Sequence, residues 1–198
     1  MVVMDVRRLI AIFVTIIVVI FGTIMIFSID WGGSKKEKEQ EKTAIVLTDY
    51  AQSDATVSLY MRGNVNSDKE HQDVRITVGR DEAKAELING YQNNVIKTES
   101  TANNPNSYRT FLSALLNSGI TKTQQAPKGV DVEGACPTGD LYRFSFANFP
   151  DPSPSDTWAT SCGKKVGTFA GNLASVKSLF IDQIPEDQYD SLTDNTDF

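Results

Sequence analysis

The stretch Thr56–Arg62, with the sequence TVSLYMR, alternates strictly between polar and apolar side chains. In an extended chain its apolar side chains share one face, and these are Val57, Leu59 and Met61. Its polar side chains share the opposite face, and these are Ser58, Tyr60 and Arg62. This period of two predicts a half-buried β-strand. Residues 73–80 repeat the alternation with Val74, Ile76 and Val78, so they form a second predicted strand after a turn-rich connection.

A β-hairpin is predicted next, because Asn89-Gly90 separates two strand-like segments, residues 83–88 and residues 91–97. Asn-Gly supplies the positive φ angles that a two-residue type I′ turn requires. Together with the first two strands, this hairpin predicts a four-stranded antiparallel meander that ends at residue 97.

An amphipathic helix follows the polar connection of residues 98–106. From Ser107 onward the apolar residues recur at helical spacing, and these are Tyr108, Phe111, Leu112, Leu115 and Leu116. Asn106 or Ser107 can cap its start, and Gly119 stands where a helix end favours a left-handed residue. We expect this helix to cover one face of the sheet.

The second half of the domain repeats the order of strands and then a helix. Residues 141–149 and 157–161 are predicted strands, residues 166–169 are a candidate third one, and the three prolines of residues 150–156 exclude regular structure between them. Asn172 caps a second helix that stops at Pro185. The fold class is therefore α+β, with a mainly antiparallel sheet and two packing helices.

Cys136 and Cys162 are the only cysteines of the chain, and 25 residues separate them. If the domain lies outside the cytoplasm, two cysteines predict one disulfide. In the chain-entropy model, closing that loop stabilises the fold by about 3–4 kcal/mol. The alternative is a pair of buried free thiols in a cytosolic domain.

An uncharged run of 21 residues, from Leu9 to Ile29, precedes the domain. As a helix it is about 31 Å long, close to the roughly 30 Å hydrocarbon core of a bilayer. It is longer than the apolar part of a signal peptide, and no small-residue cleavage site follows it. The sequence therefore predicts a single transmembrane anchor whose partner is the lipid bilayer.

The anchor divides the chain into five parts. These are a cytoplasmic tail (1–8), the transmembrane helix (9–29), a charged linker (30–43), an extracytoplasmic α+β domain (44–185) and an acidic tail (186–198). Arg7 and Arg8 favour an N-terminus inside, whereas the four lysines of residues 35–42 favour the reverse. Long domains translocate largely regardless of charge, and the two cysteines suit an oxidising compartment, so we expect the domain outside the cell membrane.

The charge and the motifs of the domain exclude several functions. Residues 43–198 carry 13 Lys and Arg against 20 Asp and Glu, so an acidic domain of this kind does not bind nucleic acid. No motif marks a catalytic, cofactor-binding or metal-binding residue. His71, the only histidine, lies in a charged turn and is expected to be an ordinary surface residue.

The segment between the cysteines contains the candidate partner-binding edge. Its residues are Phe149, Pro150, Pro152 and Trp158. Aromatic side chains beside prolines make a rigid recognition edge if they are exposed at the tip of the loop. Core packing of the aromatic residues is the alternative.

An apolar N-terminal helix, an antiparallel sheet and a disulfide-closed C-terminal region resemble the layout of type IV pilins and pseudopilins. The resemblance implies a filament subunit whose anchor helix packs against copies of itself. Residues 7–13 (RRLIAIF) have neither the glycine before the pilin processing site nor the glutamate five residues into the mature helix.

Three functions remain after these exclusions. We expect a membrane-anchored, extracytoplasmic and non-catalytic module of the cell envelope that binds another envelope protein or a surface polymer. The alternatives are a pilin-like structural subunit and an envelope hydrolase that uses two carboxylates.

Overall fold

The structure is a computed structural model, and it describes residues 46–126, 128–151, 153–163, 167–194 and 196. Those residues form an α+β domain with one antiparallel sheet, which confirms the α+β class and the mainly antiparallel sheet of the prediction. The predicted transmembrane segment (9–29) and the linker (30–43) lie outside the described residues. Among the helices of the described part, each is too short or too polar to cross a bilayer.

Six strands make up the sheet, in the order β4-β3-β2-β1-β5-β6. They are β1 (Thr56–Arg62), β2 (Gln72–Val78), β3 (Glu82–Asn89), β4 (Asn94–Ala102), β5 (Leu141–Ala147) and β6 (Thr157–Thr160). The first four pair consecutively, as the predicted meander requires. The β5–β6 hairpin then adds to the free edge of β1, so β1 lies in the middle of the sheet.

The turn between β3 and β4 differs from the prediction. Its connection has four residues, Gly90 to Asn93, where the sequence predicted a two-residue turn at Asn89-Gly90. Tyr91 leaves the strand because its N–H donates to Asp68 Oδ1 at 3.0 Å, and Asn93 takes a positive φ of 57°. As a result β4 begins at Asn94 and continues through residues 98–102, which the sequence predicted as a connection.

Three α-helices occur in the described part of the chain, one more than predicted. They are α1 (Pro105–Asn117), α2 (Leu173–Ile181) and α3 (Glu186–Thr193). Asn104 caps α1, two residues before Asn106 and three before Ser107, and its side chain accepts from the N–H groups of those two residues at 3.0 Å. Gly119 has a φ of +81° just beyond α1, which confirms the predicted helix end.

The additional helix, α3, lies where the sequence predicted an acidic tail. Its Leu192 is buried in the main core, and Lys97 Nζ of β4 donates to the backbone carbonyl of Ser191 at 2.7 Å. Leu192 therefore anchors the helix to the domain, which explains why a segment rich in acidic residues is helical.

The hydrophobic core lies between the helices and one face of the sheet. It takes the alternating apolar residues of β1 and β2 together with the apolar faces of α1 and α2. Aromatic contacts join the layers: Phe111 and Phe180 meet edge to face at 5.2 Å, and Phe144 lies 4.7 Å from Phe169 between ring centroids. The opposite face of the sheet consequently carries the polar half of each strand.

Candidate functional site

The polar face of the sheet is the candidate site. Strands β1, β2, β3, β5 and β6 contribute to it, because side chains alternate between the two faces of a sheet and every second residue of each strand lies on this face. Its members are Ser58, Tyr60, Arg62, Asp73, Arg75, Thr77, Lys84, Glu86, Arg143, Ser145, Trp158 and Thr160. Several of these groups are charged and yet buried, because neighbouring strands bring their partners into register.

A buried network of three polar side chains lies at one end of this face. Tyr60 donates a short hydrogen bond to Asp73 Oδ2, and His71 Nε2 lies 3.1 Å from Asp73 Oδ1 without hydrogen-bond alignment. His71 is only 1% exposed and stacks on Tyr91 with 3.9 Å between ring centroids. The expectation that His71 is an ordinary surface residue is therefore wrong, because Tyr91 folds over it.

Burial changes the acidity of this network. It raises the pKa of the Asp73 carboxyl above its ordinary value, although the hydrogen bond from Tyr60 and the electrostatic interactions with His71 and Arg62 act in the opposite direction. Burial, together with the hydrogen bond to Asp73, also raises the pKa of the Tyr60 hydroxyl. Asp73 and Tyr60 therefore hold their protons more firmly than the same groups do in water.

Two arginines and one glutamate form the second feature of the polar face. Arg62 Nη1 donates to Glu133 Oε2 at 2.7 Å, and Arg143 Nη2 donates to Glu133 Oε1. The Arg62 side chain is 5% exposed, whereas the Glu133 side chain is 62% exposed. Arg143 also lies over the Tyr60 ring, with its Cζ 6.0 Å from the centroid, and so connects the two networks.

A third charged group pairs β2 with β3. Arg75 Nε donates to Glu86 Oε2 at 2.8 Å, and Lys84 Nζ lies 2.9 Å from Glu86 Oε1. Burial acts to raise the pKa of Glu86, but the hydrogen bonds from Lys84 and Arg75 outweigh it and lower that pKa. Both oxygens of Glu86 are thus engaged, and this group serves to hold the strands in register.

Two neighbouring pockets open on the polar face. One has a volume of about 720 Å³ and reaches Trp158, and the other has a volume of about 490 Å³ and reaches Arg62 and His71. Both are lined by the same four side chains, which are Tyr60, Asn93, Glu133 and Arg143. These residues therefore stand between the two pockets, and the volumes lie within the range of small-ligand sites.

The predicted disulfide holds the loop that supplies Glu133. Cys136 and Cys162 are bonded, with 5.6 Å between their Cα atoms, a separation typical of a disulfide. The next residue, Pro137, accepts a hydrogen bond at its carbonyl from the N–H of Val65 at 2.8 Å. The C-terminal end of the Glu133 loop is thus attached at two points beside the site.

The structure does not bring the predicted partner-binding edge together as one surface. Trp158 is 8% exposed and belongs to the polar face, opposite Arg143. Phe149 is half-buried against Phe146 and Tyr50, whereas Pro150 is exposed. Pro152 lies outside the described residues. Whether these residues contact a partner stays a prediction.

The residues of the polar face that sequence reasoning missed do carry a signal. His71, Asp73 and Arg75 continue the period of two that was read from the apolar half of β2, and aspartate is a residue depleted in strands, so Asp73 is unusual at its position. Glu133 carries no such signal, because it lies in an irregular loop that only tertiary contacts bring to the arginines.

Comparison of the sequence with protein families and with curated proteins assigns this chain to no family. No protein-family model matches the chain, and no curated protein is significantly similar to it in sequence. The described residues contain no cluster of three or more His, Cys, Asp and Glu side chains arranged for a metal ion. The polar face presents charged hydrogen bonds between arginines and carboxylates.

Proposed function

We propose that this protein is a single-pass, membrane-anchored binding module of the cell envelope, and that its domain takes a partner on the polar face. The observation that carries the proposal is the open pair of pockets around Arg62, Arg143 and Glu133 on the sheet face opposite the helices. The anchor and the outward orientation are proposed from the sequence of residues 1–43, and the Cys136–Cys162 bond supports an oxidising compartment.

The distribution of arginine supports a binding role for this face. Residues 43–198 contain five arginines in an acidic background, and three of them lie on the polar face: Arg62, Arg75 and Arg143. Arginine is enriched among the residues that dominate binding energy, and its planar fork recognises carboxylates bidentately. An envelope protein or a surface polymer with exposed acidic groups would complement this face.

Site-specific photo-cross-linking in intact cells tests the proposal. A photoreactive amino acid at Ser145, on the polar face, is expected to give an adduct of reproducible mass with an envelope component. The same amino acid at Ser113, on the outer side of α1, is the matched control and is expected to give none. Equal adducts at both positions, or none at Ser145, would contradict a partner-binding polar face.

A carboxylate hydrolase is the second candidate, because Asp73 and Glu133 line the same pocket and the pKa of Asp73 is raised. Both Asp73 oxygens contact Tyr60 or His71, and both Glu133 oxygens contact arginines, so neither carboxylate faces a substrate without rearrangement. Hydrolysis of an envelope polymer by the native chain, lost in Asp73→Asn, would favour this candidate over the binding module.

A further inference from the structure

We propose that Arg62 and Arg143 form a receptor site for an acidic peptide segment of a partner protein, and that Glu133 occupies this site in the unbound protein. The inference rests on the proposed binding function and names the chemistry of its ligand. In this view residues 129–135 (GVDVEGA) are an internal copy of the ligand that the partner displaces.

The first support is that two donor atoms of the Arg62 guanidinium have no acceptor among the described residues. Its side chain is 5% exposed and lines the smaller pocket, and only Nη1 has a partner, Glu133. Among the described residues no group accepts a hydrogen bond from Arg62 Nε or Nη2, and Arg143 Nε is in the same state. A buried guanidinium with unmet donors gains more from a further carboxylate than an exposed one does.

The second support is the asymmetry of the Arg62–Glu133 pair. Glu133 is 62% exposed, and it comes from a loop of turns, whereas Arg62 belongs to the central strand β1. Exposed carboxylates are exchanged at low cost, because water replaces the hydrogen bonds they lose. The arginines therefore act as the fixed element and Glu133 as the exchangeable one.

The third support indicates a peptide in particular. The present occupant is itself a peptide side chain, and its neighbour Val132 lines the larger pocket next to Glu133. Two exposed side chains, Val65 at 45% and Tyr91 at 50%, line the smaller pocket and offer apolar surface beside the charges. An acidic residue flanked by an apolar one satisfies both parts of this site.

The attachment of the loop predicts how strongly Glu133 competes with a partner. Cys136, three residues after Glu133, is held by its disulfide, so the effective concentration of Glu133 at the arginines is of millimolar order. Removing the Glu133 carboxylate is then expected to tighten binding of an external acidic peptide by about tenfold or more.

Fluorescence anisotropy with the full chain tests this inference. The probe is a labelled, end-capped peptide of sequence GVDVEGA, and its expected affinity is at least about tenfold higher for Glu133→Ala than for the native chain. Asp131→Asn is the matched control, because it removes a negative charge from the same loop without touching either arginine, and its amide oxygen can still accept from the N–H of Glu133 as Asp131 Oδ1 does at 3.4 Å. It is expected to leave the affinity unchanged within about twofold.

One peptide variant and two further protein variants test whether the peptide binds through its carboxylate and through Arg143. The peptide GVDVQGA is expected to bind Glu133→Ala at least about tenfold more weakly than GVDVEGA, and adding Arg143→Gln to Glu133→Ala is expected to abolish the gain. Glu133→Gln keeps the shape of the loop and is expected to show a smaller gain, so it replaces Glu133→Ala if that variant is unfolded by circular dichroism.

Two outcomes would overturn the inference. One is equal affinity of the native, Glu133→Ala and Glu133→Gln chains for the peptide. The other is binding of an oligomer of a uronic acid as tightly as the peptide, which would assign the site to an acidic polymer. In either case a specific adduct from Ser145 would still support the binding module, so the two proposals fail separately.

Discussion

Asp73 is buried, whereas aspartate side chains are ordinarily exposed to water. It is 3% exposed, accepts from Tyr60 and faces His71, whose Nδ1 lies 3.2 Å from the carbonyl oxygen of Asn64. A carbonyl accepts only, so His71 Nδ1 carries a proton and a neutral ring presents a bare Nε2 to Asp73. An amide in place of the carboxylate would donate to Nε2 and still accept from Tyr60.

Asp73→Asn is therefore expected to gain stability relative to the native chain as pH rises. A raised pKa in the folded state means that the contribution of Asp73 is fully present below its unfolded pKa of about 3.9 and is lost as pH rises through the folded pKa. The amide does not titrate, so the stability of the variant relative to the native chain should increase between pH 3 and pH 7, by on the order of 1 kcal/mol. Urea unfolding of both chains between pH 3 and pH 7 measures the difference.

Asp81→Asn is the control for the sign of this effect. The hydrogen bond from Arg80 lowers the pKa of the exposed Asp81, so its contribution is present above the unfolded pKa and is lost as pH falls. Native stability relative to this variant should rise with pH, opposite to Asp73→Asn. A parallel trend in the two variants would contradict the role assigned to burial at Asp73.

At the scale of elements, the approach of α2 to the end of α1 depends on Gly171. A Cβ atom at Gly171 would lie 2.4 Å from the carbonyl oxygen of Gly119, and the N–H of Asn172 donates to the Ser118 carbonyl at 2.9 Å. The Gly119 oxygen is backbone, so no side-chain rotation relieves that contact, and the same Cβ would also lie 2.6 Å from Cζ of Phe169. The two helices can therefore pack together only while position 171 has no side chain.

Gly171→Ala is expected to destabilise the domain by about 2 kcal/mol or more, because the backbone at the α1–α2 junction must shift. Gly134→Ala is the matched control, since a Cβ there meets nothing within 4 Å. Chemical unfolding of both variants measures the difference in free energy. Equal stability of the two variants would show that the junction adapts without cost.

If residues 9–29 anchor the whole molecule, they determine whether it stays with the membrane, and the domain does not. The full chain is expected to stay with the membrane pellet after alkaline carbonate extraction, and the pair Ile16→Lys with Val19→Lys is expected to release it. Each lysine at the centre of a span costs about 2.5–3.5 kcal/mol of insertion free energy. The pair Val46→Lys with Val65→Lys, at exposed positions of the domain, is the control and should remain in the pellet.

Protease treatment of intact cells tests the orientation of the domain. Digestion of residues 46–196 in intact cells, with a Cys136–Cys162 bond found by non-reducing mass spectrometry, is the outcome expected of an external domain. A protected domain with two free thiols would place it in the cytosol and contradict the proposed location.

Local periodicity explains which parts of this fold were predictable. The alternation in Thr56–Arg62 and the helical spacing from Tyr108 to Leu116 involve neighbours along the chain, and both elements form as predicted. The turn after Asn89 was predicted with the wrong length because Asp68, more than 20 residues away, binds Tyr91 and draws it out of the strand. Tyr91, which this contact holds in place, also covers His71.

The order of residues along the chain thus accounts for the strands, two of the helices, the cysteine pair and the apolar segment 9–29, because each depends on spacing or composition within a short stretch. The site depends on pairing between distant stretches. Arg62 and Glu133 are 71 residues apart, and they meet because β5 adds to the edge of β1 and the disulfide holds the intervening loop beside it. No periodicity spans such a separation, so only the folded chain brings the arginines and their carboxylate together.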